Sequence, residues 1–260
     1  MSGLSHLLGI FGLVAAVFAV ILAILLPIAR RRRQISTRLR RAPSGRVSGR
    51  QLRQIGLGLI LSEAWGAYTD SLATGTPKAK LRTMLGGDWA IKDSETARDT
   101  LRSLLDSGHR AVLDPALRVY RHSRRENWDA ALAAENLPPV EFRAALEGLD
   151  AVVHRLSATG LITSSDLANS TGAWDFGRVV AVARAAYDCG YIGETEAWAL
   201  IGEAEARTRR TYKSWKDFAA SYLIGRALWA GDRGTDVTMA FAEIAETLKT
   251  DPASPWLKTR

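Results

Sequence analysis

The sequence predicts an all-α protein: a single helical domain of seven or eight helices preceded by one transmembrane helix. Three observations carry that prediction. Residues 7–28 contain no formally charged side chain. Helix-starting and helix-stopping residues then recur along the rest of the chain, and no segment alternates apolar and polar residues for long, as a half-buried strand would. The composition, 47% hydrophobic and 24% charged with 22 Gly, 8 Pro and one Cys, is that of a globular chain. It excludes disordered, collagen-like and disulfide-scaffold classes.

The first element is the apolar run. At about 1.5 Å per residue, 22 helical residues span roughly 33 Å, enough for a hydrocarbon core of about 30 Å. A cleavable signal peptide would carry a positive leader and an apolar core of about 7–15 residues. Here the run is longer, and Arg30, Arg31, Arg32 and Arg33 follow it. Positive flanks stay in the cytoplasm. The expectation is a single-pass protein of a bacterial inner membrane: residues 1–6 outside, residues 7–28 spanning, and everything from residue 29 inside. The lone Cys189 agrees with a reducing compartment.

The second element is an arginine-rich juxtamembrane linker over residues 29–53. Ten of the 35 Lys and Arg residues lie between Arg30 and Arg53, with no Asp or Glu among them. That leaves 25 basic against 27 acidic residues in 54–260, a body with a net charge of −2. The basic character belongs to the linker, which removes the main support for a nucleic-acid-binding domain. The linker arginines serve as a topology signal, and Arg30–Arg33 are positioned to meet anionic lipid headgroups.

The cytoplasmic helical domain is assigned to residues 54–260. Residues 52–69 form an apolar-periodic run. Ser94 reads as an N-cap for a helix that stops at Gly108, and Asp114-Pro115 as the cap and first position of a helix reaching Glu135. Pro138-Pro139 interrupts before a helix that ends at Gly160. Residues 172–189 stop at Gly190, residues 194–210 follow, and Ser214 with Asp217 resembles a capping box for the next helix. Residues 236–249 close the body.

The chemistry-bearing motifs are few. His6, His109, His122 and His154 show no metal-ligand spacing, and one cysteine builds no zinc site. There is no phosphate loop, nucleophile elbow or HExxH. No metal, cofactor or catalytic residue is assigned. Cys189 reads as a small buried hydrophobe.

Two helices stand out. Residues 172–189 are apolar on nearly every side yet carry Asp175 with Arg178 and Arg184 with Asp188, charges that need partners when buried. In residues 215–230, Trp215, Phe218, Tyr222, Gly225, Arg226 and Trp229 share an arc of about 100°. Two readings of that face stay open. It is the core face, with Arg226 against a carboxylate or a ring. Alternatively it is an aromatic-walled cleft in which Arg226 and Arg178 receive an anionic group. The cluster of interest is Trp174, Asp175, Arg178, Asp188, Trp215, Tyr222, Arg226 and Trp229. Gly177 and Gly225 suggest a close crossing of the two helices, with Arg226 pairing Asp175 first and Asp188 second.

Several segments resemble the bacterial family catalogued as domain of unknown function 1266. They are Ala173-Trp-Asp-Phe-Gly-Arg178, Tyr187-Asp-Cys-Gly-Tyr-Ile192, Glu196-Ala-Trp198, and the series Trp215, Phe218, Tyr222, Gly225-Arg226, Trp229. Residues 57–63, 89–93 and 104–110 resemble its opening segments, so the resemblance covers about 54–232. It implies a mostly helical domain without an assigned activity, and no catalytic residue carries over. The function expected is a membrane-anchored helical binding or scaffolding module with an unidentified cytoplasmic protein partner and no nucleic acid. The alternative is a hydrolase or transferase on an anionic substrate, with Asp175 or Asp188 as acid–base and Arg178 and Arg226 as charge clamp.

Overall fold

The computed structural model describes residues 39–259. The transmembrane span read at 7–28 and Arg30–Arg33 lie outside the described residues. Among those described, no helix is long and apolar enough to cross a membrane. Leu39 onward forms one unit. It is all-α, and the sole β pairing among the described residues is an isolated bridge between Arg46 and Ser71.

The chain runs through α1 (Gly49–Gly56), α2 (Leu59–Ala64), α3 (Lys78–Trp89), α4 (Ser94–Asp106), α5 (Arg110–His122), α6 (Trp128–Ala134) and α7 (Pro139–Ser157). It continues through α8 (Gly172–Cys189), α9 (Glu194–Thr211), α10 (Trp215–Ala230), α11 (Thr235–Thr250) and α12 (Pro255–Lys258). Twelve α-helices among the described residues exceed the seven or eight expected, for local reasons. The run at 52–69 breaks around Leu57, between two glycines of poor helix propensity. The run at 114–135 breaks after His122, and Trp128 folds back to within 6.0 Å of the Tyr120 ring. Helix α3 buries only Leu81 and Leu85 and contains Gly86 and Gly87, so its apolar signal is faint. Helix α12 is four residues long.

Two predicted caps move. Asp93, not Ser94, caps α4: its carboxylate accepts from the Thr96 backbone at 2.9 Å, and Thr96 Oγ1 accepts in return from the Asp93 N–H at 3.2 Å. Helix α5 begins at Arg110, well before Pro115. Asp114 is no cap; it accepts from Ser170 Oγ and from the Thr171 N–H and hydroxyl, all at 2.7 Å.

The helix expected to be central is central. Every residue of α8 from Gly172 to Ala186 is buried, and α2, α3, α4, α9 and α10 pack around it. Helix α10 is the second buried rod, flanked by α7, α8 and α11. The folded unit also takes in residues 39–53, read from sequence as linker. Leu39 and Ala42 are buried. Arg41 Nε and the Ala42 N–H both donate to the Asp70 carboxylate, at 3.0 and 2.7 Å. Arg50 and Arg53 approach Glu205 at 3.1 and 3.8 Å. These arginines have carboxylate partners in the body, which arginine counting alone does not reveal.

Candidate functional site

The site is built where α8 crosses α10. A Cβ on Gly177 would come within 2.7 Å of the Tyr222 ring, and one on Gly225 within 2.7 Å of the Trp174 Cβ. Both glycines are therefore spacers, as their placement in apolar helices suggested. The close approach brings Trp174 edge-on to Tyr222, with ring centroids 5.0 Å apart, and within 5.8 Å of Trp229.

The arginines at this crossing are not equivalent. Asp175 is wholly buried. It accepts from the backbone N–H groups of His109 and Arg110 at 2.9 and 3.0 Å, from Arg110 Nη1 at 3.1 Å and from Arg178 Nη2. It thus caps the N-terminus of α5, where a helix dipole favours an anion, and neutralises Arg178. Arg178 lies 4.3 Å over the Trp174 ring and 5.6 Å from the Trp89 ring. Burial pulls its pKa down against the pull of Asp175.

Arg226 has no such partner. The expected pairing with Asp175 or Asp188 does not form. Asp175 is saturated by other donors, and Asp188 lies at the far end of α8, accepting from the Thr74 N–H and hydroxyl at 2.8 and 2.6 Å. Arg226 is 7% exposed, and its Nε and Nη1 have no hydrogen-bond partner. Its guanidinium is instead surrounded by rings: Phe241 at 4.9 Å, Trp174 and Trp229 at 5.8 Å. Burial lowers its pKa, and no carboxylate offsets that. Trp174 Nε1 and the Tyr222 hydroxyl, beside it, also lack partners. Half of the eight buried orphaned polar atoms among the described residues therefore belong to this one cluster. Native structures leave few such atoms, so their concentration here is informative.

These groups line a cavity of about 940 Å³. Its inner wall is Arg178, Arg226, Trp174 and Phe241. Trp65, Trp89 and the half-exposed Trp229 surround the mouth, where Asp88, Asp99, Thr100 and Ser103 supply polar groups. Four of the chain's eight tryptophans face this cavity. His109 closes one side, edge-on to Trp229 at 6.3 Å. Its Nδ1 is 2.8 Å from Arg178 Nη2. Arginine only donates, so Nδ1 is the acceptor and carries no proton. Burial, then Arg178, lowers the His109 pKa, which keeps the ring neutral near pH 7.

The remaining predicted residues divide. Trp174, Arg178, Arg226 and Trp229 meet in the cavity, with Asp175 and Tyr222 behind its wall. Trp215 turns away and stacks on Trp256 at 4.9 Å, lining a separate, mainly apolar slot of about 380 Å³. Asp188 belongs to neither. No group of three or more metal-capable side chains occurs among the described residues. Burial raises the pKa of the Cys189 thiol.

The family model described as "Protein of unknown function (DUF1266)" matches residues 84–260. The chain belongs to this family. The match starts within α3, some thirty residues later than the resemblance read from sequence, and runs on through α11 and α12. No curated protein and no solved structure matches the chain. The inner cavity wall, His109 and the acidic mouth all fall inside the DUF1266 region, whereas Leu61 and Trp65 precede it.

Sequence reasoning missed His109, Asp88, Trp89, Asp99 and Phe241 as site residues. They sit on α3, α4, the turn before α5, and α11. Only tertiary packing brings them to the α8–α10 crossing. Trp89 and His109 did lie in segments of family resemblance, and that was the one available signal. The alanine after Trp89 adopts φ 55°, a left-handed conformation unusual for a residue with a side chain. This turn ends α3 against the cavity.

Proposed function

We propose that the chain is a membrane-anchored helical binding module whose body receives an anionic group in the tryptophan-walled cavity. The carrying observation is Arg226: a buried cation with two orphaned N–H groups, beside Arg178, on the wall of an open cavity. A buried charge without a partner is costly. Asp175, Arg184 and Asp188, none of which lines the cavity, all have hydrogen-bond partners. The enzyme reading is the weaker one, because Asp175 and Asp188, its acid–base candidates, are both occupied as acceptors.

The anchoring half of the proposal rests on the charge-free residues 7–28 and on Arg30–Arg33 after them. They favour a bacterial inner membrane with the amino terminus outside and the body, with any protein partner, in the cytoplasm. Carbonate washing of membranes should leave the full chain in the pellet; release into the supernatant argues against a spanning segment.

The binding half is tested on the full chain in a neutral detergent, by calorimetric titration with inorganic phosphate and with succinate. At least one should bind, and Arg226→Met should abolish the heat. Unchanged binding in Arg226→Met would place the anion elsewhere and remove the cavity from the proposal.

A further inference from the structure

Resting on that reading, we infer that the anion is the phosphate of a mononucleotide, whose base stacks at the tryptophan mouth. Charge comes first. Around the inner wall, Asp175 faces two arginines, Arg110 and Arg178, and Arg226 faces no carboxylate. With Arg110 and Asp175 behind the wall counted together with Arg178 and Arg226 on it, the cluster carries two positive charges in excess, while burial lowers the pKa of His109. A phosphate monoester brings nearly two negative charges and three acceptor oxygens near neutral pH, where a carboxylate brings one charge. Arginine is also the side chain whose fork fits phosphate.

Size and shape come next. A cavity of about 940 Å³ lies at the upper end of the roughly 300–1,000 Å³ typical of drug-sized ligands. That is far more than an inorganic ion fills. Trp229 is 51% exposed although it is a large apolar side chain, and Trp89 and Trp65 stand at the same mouth. Exposed indole faces are platforms for nucleobases, since every base offers a π-face.

Polarity completes the match. Asp88 and Asp99, both exposed at the mouth, form no ion pair among the described residues. Carboxylates there would repel a second phosphate. They suit ribose hydroxyls and the exocyclic amines of a base. The cavity therefore joins a cationic inner wall to a mouth that is both aromatic and acidic, which suits a phosphate held inside and a base with its exocyclic amines at the mouth.

The test titrates the full chain in neutral detergent with AMP, GMP, CMP, UMP, ribose 5-phosphate, adenosine and inorganic phosphate. At least one nucleotide should bind tenfold or more tightly than ribose 5-phosphate and than adenosine. Trp229→Ala, a change at an exposed position, should reduce the gap over ribose 5-phosphate to below threefold while leaving the sugar phosphate's affinity intact. If every nucleotide and ribose 5-phosphate bind equally, the nucleotide assignment falls and the anion site stands. If adenosine matches AMP, the phosphate assignment falls. If no phosphate compound binds while succinate does, this inference falls and the anion site stands; if succinate fails as well, both fall.

Discussion

Arg178 and Arg226 sit one residue beyond matching glycines on crossing helices, yet their energetics are opposed. Arg178 is bound into a network whose hub, Asp175, also caps α5. Removing that hub by Asp175→Asn strands Arg178 and Arg110 and weakens the cap. Breaking a buried pair in this way costs about 3–5 kcal/mol. For a domain of this size that lowers the thermal midpoint by about ten degrees. Arg226 has no hydrogen-bonded partner to strand. Arg226→Met keeps the stem packed between Trp174, Trp229 and Phe241 and deletes only an uncompensated charge. Its midpoint should stay level or rise by a few degrees, about 1 kcal/mol. This reverses what the sequence led us to expect, a destabilising loss of an Arg226–Asp175 pair. The expectation failed because helical spacing reports which face a side chain is on, and cannot report that Asp175 is already claimed by the backbone N–H groups of His109 and Arg110. A melt in which Arg226→Met falls as far as Asp175→Asn would show Arg226 to be structural.

At the scale of elements, α8 is legible from its sequence and its neighbours are not. Its apolar circumference, its stop at Gly190 and its crossing of α10 through Gly177 and Gly225 follow from residue spacing. The segment between α2 and α3 does not, since its order comes from α8 itself. Arg184, fully buried, donates to the carbonyls of Tyr68, Leu72 and Ala73 and to Ser62 Oγ at 2.6–3.2 Å. Asp188 holds Thr74. Burial lowers the Arg184 pKa to about 10. Glu63, on α2, has one buried oxygen without a partner, and burial raises its pKa to about 7 despite the attraction of Arg184 and Arg40. Its folded pKa exceeds the ordinary carboxyl value of 4.5, so the native state holds a proton that the unfolded chain releases. Stability from this group is complete below about pH 4.5 and declines as pH rises towards 7. Glu63→Gln removes the titration. Compared with the parent in urea unfolding, it should be equal near pH 4 and more stable at pH 8, by up to about 3 kcal/mol. A constant difference across that range would mean that Glu63 does not titrate as its burial dictates.

On the scale of the whole molecule, the point at which the folded body begins decides which parts must travel together. Charge counting placed it at residue 54, because ten arginines without an acid read as a solvated tether. Residues 39–53 nonetheless belong to the folded unit. Residues 39–53 run beside residues 66–71, where Thr69 donates to the Arg40 carbonyl at 2.8 Å and Val47 to the Asp70 carbonyl at 2.9 Å. Glu205, 1% exposed on α9, depends on this segment for two of its cations, Arg50 and Arg53, and Arg209 is its third. A chain beginning at residue 39 retains the apolar core of the described body and these ion pairs; it should be soluble and largely helical. A chain beginning at residue 54 loses Leu39 and Ala42 from the core and leaves Asp70 and Glu205 buried with fewer partners. Stranded carboxylates and lost apolar burial together cost several kcal/mol, a large share of the roughly 5–15 kcal/mol that holds a domain folded. The shorter chain should therefore melt at least ten degrees lower or accumulate as aggregate, as measured by circular dichroism and size-exclusion chromatography on both truncations. Equal melting of the two would return residues 39–53 to the tether and the body to residue 54.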